Sequence, residues 1–261
     1  MMRLWRPSRA SSAPARAPSG YRAFAVGDVH GRLDLLDDII GQVERDLAER
    51  KPRRALLLFL GDIIDRGPQS CQAVERLRTY RRPDLRTVFL MGNHEEVLLR
   101  LIAGERGILD SWLQFGGSEC LKSYGVDPQS IRSLQEGEAL AVIKEAIPET
   151  HRKFIAGFAD TLRFGDYLFV HAGIRPDVDL SLQSQSDLRW IRQPFLDDDS
   201  DHGFVVVHGH TISEDVVERP NRIGIDTGAY RSGVLTALVL EGEERRLLTT
   251  RALGWNKTAP E

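Results

Sequence analysis

Cysteine is scarce: Cys71 and Cys120 are the only two in 261 residues. They lie far apart, outside any zinc-type spacing, and suit a reducing, cytoplasmic setting in which they pack as small apolar side chains. Positive charge is not in excess either. A formal net charge of −3 gives no support for a nucleic-acid partner, which usually needs a basic face. No apolar run approaches the ~20 residues that cross a bilayer, so no membrane partner is expected. Internal repeats are absent. What remains is a chain 41% hydrophobic and 28% charged, long enough to bury a substantial core.

The first 20 residues stand apart. They carry Arg3, Arg6, Arg9 and Arg16 amid Ser, Ala and Pro, without the apolar stretch of a secretory signal, and no acid precedes Asp28. Residues 1–20 read as a disordered tail that can be trimmed without loss of activity, residues 21–250 as one domain, and residues 251–261 as a C-terminal tail.

Six apolar runs have strand length: 24–26, 55–60, 87–91, 167–170, 204–207 and 234–240. Between the first two, Leu33, Leu36, Ile40, Val43 and Leu47 recur at helical steps. Pro68 suits a first helical turn, and Cys71, Val74 and Leu77 continue at helical spacing. This strand–helix–strand–helix–strand opening predicts an α/β fold with parallel strands. Residues from about 96 to 160 read as a helical insertion covering one side of the sheet. From RIGIDTGAY onward the pattern predicts antiparallel strands. The acidic run DDDSD at 197–201 has the wrong spacing for an EF-hand and reads as a solvated loop.

The ends of the strands are unusual. FAV runs into GDVHG (27–31), ALLLFL into GDIIDRG (61–67), TVFLM into GNHE (92–95), YLFV into HAG (171–173) and FVVV into HGH (208–210). Taken singly, a histidine at a strand end is more often structural, and GD or GN pairs commonly make turns. Together, five such ends would meet on one rim, because sites of open α/β sheets form at the carboxyl ends of strands. Asp28, His30, Asp62, Asn93, His171 and His210 offer hard oxygens and imidazole nitrogens suited to Mn, Fe or Zn. Six such groups exceed what one catalytic zinc takes and suit two ions ~3.5–4 Å apart sharing a carboxylate.

GDVHG, GDIIDRG and GNHE in series, with HAG, WIR and GHT after them, resemble the signature of the PPP family of metallophosphatases. That family lies within the calcineurin-like metallophosphoesterases and includes bacterial serine/threonine protein phosphatases and symmetrical diadenosine tetraphosphatases. The resemblance spans roughly residues 23–240. It implies a β-sandwich of mixed sheets flanked by helices. It also implies that Asp28 and His30 bind one ion, that Asp62 bridges, and that Asn93, His171 and His210 hold the second. His208 is then structural, since Ile212 stands where a GHxH relative has its second histidine. WLQFGG (112–117) has Phe115 where the bacterial pattern has Asn.

Roles for other residues follow from chemistry. Arg66 and Arg192 would bind the phosphate, because a planar guanidinium can give it two hydrogen bonds at once. His94, beside Asn93 but not itself expected to bind metal, would protonate the leaving alkoxide, with Asp65 orienting its ring. Asp226 and Thr227 are expected to give structural support. The expected activity is Mn-dependent hydrolysis of phosphoserine and phosphothreonine in proteins, by direct attack of a metal-bridging hydroxide. Hydrolysis of diadenosine tetraphosphate or another nucleotide is the alternative reading. A phosphotyrosine preference stays open, and an inert phospho-binding scaffold is the weakest reading because every ligand and the acid are present.

Overall fold

The computed structural model describes residues 14–250. Its opening half alternates as expected: β1 (Tyr21–Val26), α1 (Leu33–Arg50), β2 (Arg54–Phe59), α2 (Ser70–Thr79), β3 (Leu85–Phe89) and α3 (Asn93–Ile102). Five further helices follow, α4 (Leu109–Trp112), α5 (Ser118–Ser123), α6 (Pro128–Arg132), α7 (Glu136–Ala146) and α8 (Glu149–Ala156), with a widened π-type turn at Leu113–Gly117 between α4 and α5. The second half holds β4 (Thr161–Phe164), β5 (Tyr167–Val170), α9 (Gln185–Trp190), β6 (Val205–His208), β7 (Val217–Glu218), β8 (Arg222–Gly224), α10 (Ala229–Ser232), β9 (Thr236–Glu241) and β10 (Glu244–Thr249).

These strands form two mixed five-stranded sheets, in the orders β10-β9-β1-β2-β3 and β4-β5-β6-β8-β7. The strands β1, β2 and β3 are parallel, and so are β5, β6 and β8; β9 runs antiparallel to β1 and β10 antiparallel to β9, while β4 and β7 run antiparallel to β5 and β8. The two-residue period of a strand explains why the runs are apolar throughout. Ala23, Ala25, Leu56 and Leu58 face Phe169, Val205 and Val207 of the other sheet. Their neighbours Phe24, Val26, Leu57 and Phe59 point the other way, onto Leu36, Ile39, Ile40 and Val43 of α1. Leu98, Trp112, Leu121, Ile143 and Ile155 of the helical insertion join that same cluster. On the far side, Leu168, Val170 and Val206 pack under Leu188, Ile191 and Phe195.

Three readings change. β8 was expected among antiparallel strands, but it lies parallel to β6 in the second sheet, and only β9 and β10 form the C-terminal hairpin, across a turn at Gly242. Three residues, Arg-Ile-Gly, are too few to show a sheet assignment by periodicity. α2 begins at Ser70 rather than at Pro68, because the residues before it make the tight turn that carries Arg66. The expected N-terminal tail is partly in place. Of residues 1–20, positions 1–13 lie outside the described residues, but Ala17 is buried and its N–H donates to Gly242 O. Arg16 N–H donates to Asp166, and the Tyr167 hydroxyl donates to Ala15 O. The expected C-terminal tail, residues 251–261, lies outside the described residues. Among the described residues no helix is long and apolar enough to cross a membrane.

Candidate metal centre

Every strand-end motif arrives at one rim, and the backbone there is strained. His30, Asp62, Asp65, Arg66 and His210 are five of the seven non-glycine residues with positive φ among the described residues. Such conformations cost of order 1–3 kcal/mol each and persist where surrounding structure holds them, often at functional sites.

Asp62 is the centre of the arrangement. Its Oδ2 lies 3.5 Å from His30 Nε2, and its Oδ1 lies 3.5 Å from His171 Nε2. The carboxylate is buried, which favours the neutral acid, but the positive charge that His171, His94, His30 and His210 take on in acid holds its pKa well below the ordinary range. It is charged. Its neighbours are set up to present lone pairs. His30 Nδ1–H donates to Ile64 O at 2.8 Å, leaving Nε2 bare, and His171 Nδ1–H donates to Leu60 O at 2.9 Å, leaving its Nε2 bare. Fixing one ring nitrogen through a backbone carbonyl is how a histidine is oriented for a metal. Burial keeps both rings below their usual pKa and therefore neutral. His210 is pushed down to about 3, first by burial and then by His171, with Arg192 contributing.

These groups converge on Asn93. His171 Nε2 and His210 Nδ1 both sit 3.0 Å from Asn93 Oδ1. Asp28 Oδ1, His30 Nε2 and His210 Nε2 are buried atoms with no hydrogen-bond partner. Burial and the charges of Asp226 and Asp62 push the Asp28 carboxyl well above its usual value. Buried polar atoms without partners are costly, and divalent cations taking up the lone pairs of Asp28, His30 and Asp62 would lower that cost. Asp62 with His171 and His210, and Asp62 with His30 and His94, each bring their donor atoms within 4.8 Å of one another. The residues fit two cations. The second grouping contains His94 and omits Asp28, so the geometry alone admits His94 as a ligand.

The remaining expected residues lie close by. His94 Nδ1–H donates to Asp65 Oδ2 at 2.7 Å, and Arg66 Nη2 donates to His94 Nε2 at 3.1 Å. Burial opposes the imidazolium, but the charges of Asp62 and Asp65 outweigh it and raise the His94 pKa. Arg192 is exposed on the segment after α9, near enough for its charge to act on His171 and His210. His208 is buried edge-on to Phe195, outside the ligand cluster. Asp226 lies beside Asp28, accepts from Gly228 N at 2.9 Å, and has its pKa pushed up to about 6, chiefly by burial. Thr227 donates to Val234 O at 2.8 Å.

Three residues were missed. Glu95 is fully buried and accepts from four backbone N–H groups, those of Asp62, Ile63, Ile64 and Gly92. A glutamate three residues into a helix after a glycine cap is a recognisable capping signal, here extended to the metal-bearing turn. Gly92 itself is obligatory, since a Cβ there would collide with Asp62. Burial and the Asp62 charge push Glu95 up to about 8, yet four donors aimed at two oxygens make a shell for an anion. We expect Glu95→Gln, with one acceptor oxygen left for four donors, to lower stability by about 2–4 kcal/mol in urea unfolding. An unchanged midpoint would mean the side chain is held as the neutral acid. The second is Tyr230, whose ring lies under the Arg66 guanidinium at 4.7 Å and edge-on to His30 at 5.3 Å. The third is Trp112, whose Nε1–H donates to Asp65 Oδ2 at 2.9 Å. Tyr230 had no signal beyond its residue type, whereas Trp112 heads the WLQFGG segment, whose role the sequence left open.

Known proteins show the same pattern. The calcineurin-like phosphoesterase family matches residues 21–232. Serine/threonine-protein phosphatase 2 of Escherichia coli K12 is 30% identical over 218 residues, covering 82% of this chain and 90% of that protein. The asymmetrical bis(5'-nucleosyl)-tetraphosphatase PrpE of Anoxybacillus flavithermus is 26% identical over 235 residues, covering 82% and 88%. A crystal structure provisionally identified as a diadenosine tetraphosphatase superposes with a TM-score of 0.64 at 20% identity, covering 93% of this chain and 99% of that one. This chain belongs to the calcineurin-like phosphoesterases and is a metal-dependent phosphoesterase hydrolase.

Proposed function

We propose that the protein is a Mn-dependent phosphoprotein phosphatase acting on phosphoserine and phosphothreonine, in the cytoplasm. The observation that carries the chemistry is Asp62, whose two carboxylate oxygens face different histidines, with the His94–Asp65 pair on the same rim. Asp28, His30 and Asp62 would hold one cation, and Asp62, Asn93, His171 and His210 the other. When bound, such a pair supplies positive charge for the phosphoryl oxygens and a water deprotonated near neutral pH.

The chain's own groups do the rest. Arg66 and Arg192 bind the non-bridging oxygens and orient the phosphate for in-line displacement. Arg66 Nη2 occupies His94 Nε2 in the free site, so an entering phosphate that claims the guanidinium frees that nitrogen. Once freed, Nε2 takes a proton from solvent, helped by the Asp62 and Asp65 charges. As the ester P–O bond breaks, its electron pair leaves on the ester oxygen, and His94 Nε2–H gives that oxygen its proton. Asp65 holds the ring through Nδ1 while this happens.

The named phosphatase relative and the GNHE motif, with Glu95 rather than Asp, support the phosphoprotein reading. The tetraphosphatase relative, which matches over 82% of the chain, supports dinucleoside tetraphosphate hydrolysis on the same core. A comparison of kcat/KM for phosphoserine, phosphothreonine and phosphotyrosine peptides and diadenosine tetraphosphate, with Mn supplied, decides between them. A preference of about a hundredfold for the serine and threonine peptides, near 2.7 kcal/mol, is the expected result; the reverse preference would overturn it.

A further inference from the structure

The helical insertion reaches the carboxylate that holds the proposed proton donor, and we infer that Trp112 is a positioning residue for the protonation of the leaving group. Its indole is 3% exposed and packs flat against Gly117, where any Cβ would strike the ring. Nε1–H donates to Asp65 Oδ2, the same oxygen that takes His94 Nδ1–H, and the Cys120 thiol lies beside the same carboxylate. Both bonds on one oxygen fix the carboxylate's rotation. The indole bond also draws charge from Oδ2, so the Nδ1 proton stays on His94 rather than passing to Asp65. The backbone reinforces this grip. Asp65 and Arg66 are consecutive left-handed residues, at φ +69° and +65°, and Asp65 N–H donates to Ser70 Oγ. Arg66 N–H donates at 3.0 Å to the carbonyl of Gly116, a residue at φ +117°.

The pieces fall within WLQFGG, so the motif acquires a division of labour. Trp112 sets the acid, Gly116 holds the phosphate-binding arginine's backbone, and Phe115, at the kink between them, is 60% exposed. Nothing in this requires contact between Trp112 and substrate. Its effect passes through Asp65 to His94, and therefore should depend on how badly the leaving group needs a proton.

The inference rests on the reading of His94 as general acid. The test uses the full chain loaded with Mn and a series of aryl phosphates running from p-nitrophenyl to phenyl phosphate, with a phosphoserine peptide at the basic end. Trp112→Phe keeps a ring against Gly117 and deletes the donor; β-(3-benzothienyl)alanine at 112, with sulfur in place of N–H, serves if Phe is not tolerated. We expect kcat to fall about tenfold or more on the basic leaving groups and less than about threefold on p-nitrophenyl phosphate, with KM and metal content unchanged. An equal loss across the series would make Trp112 a general structural support, and no loss anywhere would remove it from the acid step. Steep leaving-group dependence in the unaltered protein would instead overturn the His94 reading itself.

Discussion

Asp62→Asn is expected to remove activity almost completely, by about three orders of magnitude or more in kcat/KM, and to bring Mn below one ion per chain. The substitution keeps shape and leaves one oxygen to accept the His94 backbone N–H, now 3.1 Å away. What it removes is charge. Asp62 is buried with His30, His171 and His210 around it, and those rings are neutral in the fold, so its carboxylate supplies the negative charge shared by both halves of the site. The amide NH₂ would also point a donor where a lone pair is needed. A thermal reading separates loss of metal from loss of fold. Manganese at a hundred times its Kd should stabilise the native protein by about 2.7 kcal/mol and the variant by almost nothing. A variant that keeps two ions would displace Asp62 from the centre.

His94→Asn should leave metal content near normal while kcat falls by about 10²- to 10⁴-fold. The expectation comes from how the ring is held. Nδ1 is committed to Asp65 and Nε2 to Arg66, so neither nitrogen is free in the way His30 Nε2 and His210 Nε2 are. The nitrogen distance of 3.9 Å to Asp62 Oδ2 leaves room for the opposite outcome. Loss of one ion in this variant would make His94 a ligand and leave the leaving group without its acid. Because the ring's pKa is raised by Asp62 and Asp65, the variant should lose most on substrates whose leaving oxygen is strongly basic.

Much of this was legible in the chain, for definable reasons. Strands buried on both faces read as unbroken apolar runs, so β1, β2, β5 and β6 announce themselves, and the groups that end them are polar types that a buried strand end would otherwise avoid. That placed Asp28, His30, Asp62, Asn93, His171 and His210 on one rim before any coordinates. The three-residue β8 has no periodicity to read, which is why its sheet was misassigned. Glu95 was missed as the anchor of four backbone N–H groups, since a side chain's partners across 30 residues leave no local trace. Trp112 acts by packing and one hydrogen bond and Tyr230 by two ring contacts, and an aromatic in a helix looks like core until its polar edge is located. The tail from Pro14 onward read as disordered from its composition, yet backbone hydrogen bonds to Gly242 and Asp166, and burial of Ala17, fix it.

Metal stoichiometry tests the two-cation centre most directly. Purified full-length protein, stripped with chelator and reconstituted with Mn, should bind two ions per chain by elemental analysis, with activity lost on stripping and regained on reloading. One ion or none bound per chain, at full recovery of phosphoesterase activity, would contradict it.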